Sequence, residues 1–445
     1  MSPTSATTPR DTTTGLAARR AALVALRAVE EDGAWSNLAV PAAIERLPDE
    51  RDRGFAAHLA YDTLRWEGTL DWALAQVLTR PLADVEPALR RVLRLGALQL
   101  LRSAVPARAA VATSVALARE QVPSKRAAGA AGFVNGVLRA LSRRAGQLPW
   151  PNRETAPVEH LALTTGHPPW VVEDLLARLP VDRVAAILAA DDEPPGLTLR
   201  ATGDRDALLE ELHTAGVAAS PGAVDVAVRA PGADPRRLPA VREGRAVPQD
   251  EASMRVVEAT GTRPGDRVLD LCAGPGGKAT FLAGLAGPDG RVVGVELHPH
   301  RAELVRAAAE RQGVAVEVLV GDAADPPLPA AERFDRVLLD APCTGLGTGR
   351  RRPEVRWRRR PEDATELAAL QRRLLRAAAD RVAPGGTLTY AVCTWTQAET
   401  DGVVDAVVPD LARAGLRAVE RLQLWPDRDA TDGMYVATWT RPTAG

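Results

Sequence analysis

The stretch RVLDLCAGPGGKAT, residues 267–280, decides the fold. Its short apolar run ends on Asp270; Cys272, Ala273, Gly274, Pro275, Gly276, Gly277 and Lys278 follow before a helical pattern opens at Ala279. A strand that passes through a glycine-rich turn into a helix can bring backbone amides and a helix amino end against a ligand, because glycine allows close approach and a sharp turn. A phosphate-binding loop of the G-x-x-x-x-G-K-[ST] kind would need Gly at 272 and Ser or Thr at 279, and the chain has Cys272 and Ala279. Two nucleotide readings stay open. Gly274, Gly276 and Ala279 fit the G-x-G-x-x-G/A spacing of a dinucleotide site, with the acid Glu296 twenty residues past Gly276 to meet ribose hydroxyls. S-adenosylmethionine, a nucleoside with a charged amino-acid tail, accounts in addition for Asp270 at the end of the first strand and for Asp322 after the third, where an adenine amino group could be reached. The plainer role for Asp270 is a turn or N-cap acid, and for Cys272 a packing residue of the loop.

Outward from this stretch, the β-rich runs RVVGVEL (291–297), VEVLV (316–320), RVLLD (336–340) and GTLTYAVC (386–393) alternate with helical segments such as HRAELVRAAAERQG. Such alternation predicts a parallel sheet with helices on both faces and ligands at the carboxyl ends of the strands. The fourth of these strands ends in Asp340-Ala-Pro-Cys343 and the fifth in Tyr390-Ala-Val-Cys393, so both thiols fall at the cofactor edge. An isolated cysteine is more often a buried structural residue. Here all three, Cys272, Cys343 and Cys393, lie at strand ends in glycine- or proline-marked loops. Carbon-5 of cytosine is too weak a nucleophile to accept a methyl group until another nucleophile adds at carbon-6. The expected roles are Cys393 as that nucleophile and Cys343 as the group that helps remove the carbon-5 proton, with Asp340 bordering the base or the cofactor. Enzymes that methylate exocyclic amines present Asp or Asn, two prolines and an aromatic at the fourth strand; this chain has DAPC.

A chain of 445 residues, 46% hydrophobic and 25% charged, predicts two or three folded domains. Residues 1–13 read as a disordered tail, 14–148 as an all-helical domain, 155–250 as a small α+β module and 251–442 as the sheet domain. No run is long and apolar enough to span a bilayer, so a cytoplasmic protein without a membrane partner is expected. The cysteines suit neither a disulfide framework nor a zinc site, and His298 and His300 lack companions, so no metal is expected. A net charge of -1 confines any nucleic-acid contact to a local patch. One candidate is RRRPEVRWRRR, 350–360, seven arginines around Trp357, whose indole would be available for stacking; a solvated charge run is the plainer reading.

The segments PQDEASM (248–254), DLCAGPGGKAT (270–280), DAPCTGLGTGRRRPEVRW (340–357) and YAVCTWTQAE (390–399) resemble the bacterial ribosomal small-subunit RNA cytosine-5 methyltransferase B family, also called Fmu- or Sun-like, of the NOL1/NOP2/Sun group. RGFAAHLAYDTLRW and GAAGFVNGVLRAL resemble its NusB-type helical RNA-binding domain, so the likeness covers nearly the whole chain. The resemblance implies a Rossmann-like class I methyltransferase domain with a mostly parallel seven-stranded sheet, preceded by an all-α NusB-like domain and a small α+β module. It further implies that residues 272–278, Glu296, Asp322 and Asp340 contact S-adenosylmethionine, that Cys393 is the nucleophile and Cys343 the releasing thiol, and that a cytosine of small-subunit ribosomal RNA is the target. Apart from the resemblance, a monomer is expected. The chain differs from the usual pattern at Val392, Thr394, Thr400 and Glu296. Competing expectations are a cytosine-5 methyltransferase of transfer RNA, a non-catalytic RNA-binding factor and a dinucleotide-dependent oxidoreductase.

Overall fold

Alanine and leucine recurring every three to four residues through the first 190 positions produce helices with one apolar stripe each, and such stripes are stable only against one another. The computed structural model describes residues 15–443, so the tail expected at 1–13 lies outside the described residues. It divides into two compact units, one of residues up to Leu188 together with Arg351–Arg358, the other of Ala189–Arg350 and Arg359 onward.

The first unit contains α1 (Leu16–Glu30), α2 (Ser36–Ile44), α3 (Glu50–Arg65), α4 (Glu67–Ala75), α5 (Pro87–Arg102), α6 (Ala107–Glu120), α7 (Ser124–Arg144), α8 (Pro157–Thr164), α9 (Pro169–Leu176) and most of α10 (Val181–Asp192). Its core gathers Leu26, Leu59, Leu70, Leu93 and Leu138, each at most 3% exposed. Prolines at the first turns of α5, α8 and α9 start helices where an N–H would have no partner in any case. Residues 146–157, with prolines at 149, 151 and 157, lie within this unit.

The second unit opens with β1 (Thr198–Ala201), α11 (Arg205–Thr214), β2 (Ser220–Pro221), β3 (Ala227–Arg229), α12 (Pro239–Arg242) and β4 (Ala246–Pro248). The four strands form an antiparallel sheet in the order β2-β3-β1-β4. There follow α13 (Glu251–Ala259), β5 (Arg267–Asp270), α14 (Gly277–Ala286), β6 (Arg291–Glu296), α15 (Pro299–Gln312), β7 (Glu317–Val320) and β8 (Phe334–Asp340). After α16 (Val355–Arg358), which belongs to the first unit, come α17 (Pro361–Ala379), β9 (Val382–Val392), α18 (Asp401–Arg413), β10 (Arg417–Leu424), α19 (Pro426–Asp429) and β11 (Met434–Thr440).

These strands make a seven-stranded sheet in the order β10-β11-β9-β8-β5-β6-β7, parallel from β9 to β7 with β10 and β11 antiparallel at one edge. Val268, Leu269, Val293, Val337 and Leu388 are fully buried, as strands covered on both faces require. Strand order reverses at β5, which pairs with β8 on one side and β6 on the other, and a sheet of this kind opens its ligand crevice at that reversal. Arg200 of β1 ties the antiparallel module to α14. Its buried guanidinium donates to Gln249 (2.7 Å), Thr280 (3.2 Å) and Gln312 (2.9 Å) and lies over the Phe281 ring, and burial pushes it down to about 10.

The arginine-rich segment is spent on structure. The Trp357 indole N–H donates to Leu64 O at 2.7 Å, and its ring occupies the space that a side chain on Gly68 would fill. Arg356, 1% exposed, donates to Gly166 O, and Arg358 donates to the carbonyls of Val29, Gly33 and Ala34. Arg350 and Arg359, in the second unit, donate to Glu193 O and Thr431 O and to Thr344 O. This corrects the reading of 350–360 as a phosphate-neutralising patch with an indole open to stacking: main-chain carbonyls, several of them at helix ends, hold the indole and four of the seven arginines.

Candidate active site

The glycine loop after β5 is held by carboxyl groups from neighbouring strands. Gly274 N–H donates to Glu296 Oε2 at 3.1 Å, and His298 N–H donates to Glu296 Oε1 at 3.0 Å, so the acid ending β6 fixes both its own loop and the one beside it. Arg301 of α15 donates to Gly274 O at 2.7 Å. A Cβ on Gly274 would lie 2.3 Å from Glu296 Oε2, and Gly276 has φ +108°, so neither position accepts another residue without rearrangement.

Asp270 is 1% exposed. Its Oδ1 accepts from Cys272 N–H at 3.3 Å, whereas among the described residues Oδ2 has no partner. Burial, and then the charge of Asp340, push this carboxyl up to about 7. Burial also pushes the Cys272 thiol up, with Asp270 and Asp340 adding to it, so Cys272 stays a neutral wall of the loop. Lys278, in the first turn of α14, donates to Asp340 Oδ2 at 2.6 Å. Burial pulls its ammonium down, but Asp340, Cys393 and Asp270 outweigh that and raise it, so the lysine remains charged.

β8 and β9 pair in parallel, with Asp340 opposite Ala391, and this register carries their trailing loops to one place. There Cys343 Sγ and Cys393 Sγ lie 3.3 Å apart as a hydrogen-bonded pair of free thiols. The shared hydrogen bond with Cys393, followed by burial, raises the Cys343 thiol well above its ordinary value. Such a pair has one sulfur that holds the proton and one that can be free to attack.

The structure thus brings Asp270, Lys278, Glu296, Asp340, Cys343 and Cys393 around the ends of β5, β6, β8 and β9. Asp322 follows β7 on the exposed rim, one residue past Gly321, whose N–H donates to Glu296 O at 3.1 Å; its side chain, 46% exposed, accepts from Ala324 N–H and approaches Arg373 at 3.5 Å. Glu399 is the residue that sequence reasoning passed over. Fully buried, it accepts from Thr344 N–H (2.8 Å), the Thr344 hydroxyl (2.6 Å), the Thr396 hydroxyl (2.8 Å) and Gln371 (3.1 Å). The available signal was its acidic side chain among the apolar and small residues of YAVCTWTQAE. Among the described residues no cluster of three or more His, Cys, Asp or Glu side chains is placed to hold a metal ion, and no helix is long and apolar enough to cross a membrane.

A family model described as 16S rRNA methyltransferase RsmB/F matches residues 259–440, a NusB family model matches 16–143, and a model of the ferredoxin-like domain of RsmF/B-like methyltransferases matches 167–231. The ribosomal RNA small subunit methyltransferase B of Pseudomonas putida is 35% identical over 438 residues, which span 94% of this chain and 97% of that protein. The chain belongs to the RsmB/F family of 16S rRNA methyltransferases. The Mycobacterium tuberculosis protein Rv1407 is 43% identical over 455 residues, covering 96% of this chain and 97% of its own. The solved structure of PH0851 superposes with a TM-score of 0.83 at 24% identity, covering 98% of this chain and 99% of that one, and shares its fold. In this RsmB/F member the helical unit therefore contains a NusB domain, and the seven-stranded sheet is the Rossmann-like methyltransferase domain.

Proposed function

We propose that this RsmB/F member is a cytoplasmic enzyme that transfers a methyl group from S-adenosylmethionine to carbon-5 of a cytosine in 16S rRNA, with a transient bond between Cys393 and the base. Its working divisions are a NusB-like domain through residue 148, an RNA-binding module over 155–250 and the methyltransferase domain over 251–442. The observation that carries the reaction is the 3.3 Å separation of the Cys343 and Cys393 sulfurs.

The residues fit the cofactor by charge. Asp270, Glu296 and Asp340 converge on the glycine loop, Lys278 is already matched to Asp340, and Asp270 Oδ2 is buried without a partner among the described residues. Glu296 lies 3.6 Å from Arg301, so Asp270 is the carboxyl of the three left without a cation, and its ionised form suits a ligand bearing an ammonium and a sulfonium rather than the pyrophosphate of a dinucleotide. Asp270, the main chain of 272–278 and Glu296 would hold the group, with Asp340 bordering it and Asp322 contributing from the rim. When bound, S-adenosylmethionine supplies the electrophilic methyl group that carbon-5 of the base accepts.

The protein's own part is acid–base and nucleophilic. The Cys393 thiolate adds to carbon-6 of cytosine, forming a carbon–sulfur bond and moving the ring electrons toward carbon-5. Lys278 opposes the charge on that sulfur before addition. Cys343 begins protonated, since it shares a hydrogen bond with Cys393, and so does not compete for the base. Once Cys393 is bonded to carbon its negative charge is gone, and the restraint on ionising Cys343 weakens. Cys343 can then give up its proton to solvent and take the carbon-5 proton; the electron pair left behind restores the ring double bond and expels Cys393 as thiolate.

The test is covalent trapping on a 16S rRNA transcript with S-adenosylmethionine present. Cys343→Ala should accumulate a protein–RNA adduct that resists denaturation, and Cys393→Ala should yield neither adduct nor 5-methylcytosine by bisulfite sequencing. Adduct formation without Cys393 would overturn the assignment of roles.

A further inference from the structure

With a net charge of -1 the chain has no general attraction for a polyanion, and the arginines of 350–360 are largely committed to main-chain carbonyls. The charge asymmetry lies elsewhere. The α6–α7 hairpin, residues 107–144, carries seven basic side chains (Arg108, Arg119, Lys125, Arg126, Arg139, Arg143, Arg144) against one acid, Glu120. Between the two helices runs an open groove of about 570 Å³, with Val111, Ala112 and Val115 on its floor and Arg108, Arg139 and Arg143 on its walls.

Three features distinguish these arginines from a solvated charge run. All three are exposed, and among the described residues none has an ion pair or hydrogen bond from its side chain, although elsewhere in this unit arginines are paired as Arg20 is to Glu120 and Arg126 to Glu86. Arg139 and Arg143 stand one helical turn apart on α7, a like-charge spacing that costs helix stability by itself and is relieved when an anion lies across both. The same face of α7 presents Gly132 and Gly136, where an added Cβ would meet nothing within 4 Å, so a backbone could run close along the helix. Asn135 and Ser142 supply neutral hydrogen-bonding groups between the charges.

We propose that the α6–α7 groove binds the phosphate backbone of RNA, serving as a docking surface of the NusB domain distinct from the residues around Cys393. The groove has no aromatic side chain to stack a base and no large apolar anchor for a protein partner, so contact through phosphates, without sequence readout, is the mode it favours. The inference rests on the reading above that the substrate is RNA.

The experiment measures binding of the full chain to a 16S rRNA transcript as a function of KCl. Neutralising three phosphate contacts on single-stranded RNA corresponds to about two units of slope in log K against log salt. The triple variant Arg108→Gln, Arg139→Gln, Arg143→Gln should lose about that slope and bind roughly tenfold or more weakly near physiological salt. Ala112→Met, at an exposed helical position that lines the groove, fills it at constant charge and should also weaken binding while leaving the thermal midpoint in place. A control with Arg263, Arg311 and Arg417, exposed residues of the methyltransferase domain, changed to Gln should have the smaller effect. An unchanged slope in the first variant, an equal loss in the control, or displacement of the transcript by polyglutamate as effectively as by unrelated RNA would overturn the proposal. Methylation of the transcript is followed in parallel: failure of the unaltered protein to form 5-methylcytosine counts against the proposed function, whereas normal methylation with an unchanged salt slope counts against the groove alone.

Discussion

The buried Glu399 accepts the Thr344 hydroxyl at 2.6 Å, so one carboxyl group joins the loop after β8 to the loop after β9. Thr344 follows Cys343 directly and its hydroxyl also meets that of Thr394, which follows Cys393, at 2.8 Å. The distance between the two sulfurs is therefore set by neighbours of the cysteines rather than by the cysteines themselves. Glu399→Ala leaves the Thr344 amide, two threonine hydroxyls and Gln371 without their acceptor in a dry interior, a loss of roughly 3 kcal/mol or more. We expect a clear fall in the urea midpoint. Glu399→Gln, which keeps the shape and one acceptor, should recover most of the stability but slow methyl transfer at least tenfold, because small displacements between reacting groups are costly. Equal turnover in the Gln variant would show that the sulfur pair tolerates loosening of its loops.

Lys278 and Asp340 form a mostly buried ion pair at 2.6 Å, with the lysine also facing Cys393. Removing one member strands the other charge, which typically costs about 3–5 kcal/mol, whereas replacing both can be nearly neutral. Lys278→Met and Asp340→Asn should each lower stability, and the double variant should be less destabilised than the sum of the two. For methyl transfer the outcome should differ: the double variant stays as slow as Lys278→Met, since neither has a cation beside the attacking sulfur. A double variant with restored turnover would remove Lys278 from the chemistry and leave it a structural partner of Asp340.

The Asp270 carboxyl, raised to about 7 by burial and by Asp340, makes stability depend on pH in a definite direction. Between about pH 4, where the unfolded chain releases this proton, and about pH 7, where the folded protein releases it, the folded state binds more protons. Stability of the ligand-free protein therefore falls as pH rises across that window, by on the order of 4 kcal/mol from this group. Asp270→Asn retains the acceptor for Cys272 N–H and has no proton to lose, so the difference in urea midpoint between the two proteins should change steadily from pH 5 to pH 7.5 and then level off. A cationic ligand favours the ionised form, so affinity for S-adenosylmethionine should rise with pH toward about 7 in the unaltered protein and stay flat in the Asn variant. Parallel pH profiles in both proteins would remove Asp270 from ligand binding.

Strand–helix alternation was legible in the sequence because each parallel strand, covered on both faces, is a short apolar run such as Val268-Leu269 or Val337-Leu338-Leu339 that ends at a loop. The placement of Cys343 and Cys393 at such ends could likewise be read from position alone. Glu399 could not, because its chief partner Thr344 is 55 residues away and only the pairing of β8 with β9 brings them together. The arginine-rich segment misled for a related reason. Its composition matches a phosphate-binding loop, and nothing in its spacing reveals that carbonyls at helix ends such as Leu64 and Val29 lie within reach. The α6–α7 arginines have the opposite character: their helical spacing is visible in the sequence, but their lack of partners is not.

Trp357 offers a direct measure of how the arginine-rich segment is used. Its indole donates to Leu64 O at 2.7 Å and its ring fills the site beside Gly68, where an added Cβ would lie 2.5 Å from the ring. If the segment is structural, the penalty of disturbing this contact falls on folding. Gly68→Ala, which elsewhere in a helix would gain up to about 1 kcal/mol from propensity, should instead destabilise by roughly 1–3 kcal/mol through overpacking. Trp357→Phe loses the donor and leaves the Leu64 carbonyl short of a partner, a cost of about 1–3 kcal/mol. Both variants, assayed well below their melting temperatures, should bind a 16S rRNA transcript with the salt dependence of the unaltered protein. A reduced slope in Trp357→Phe, or a neutral Gly68→Ala, would return the indole to the RNA-facing surface and require a different account of how residues 351–358 are held.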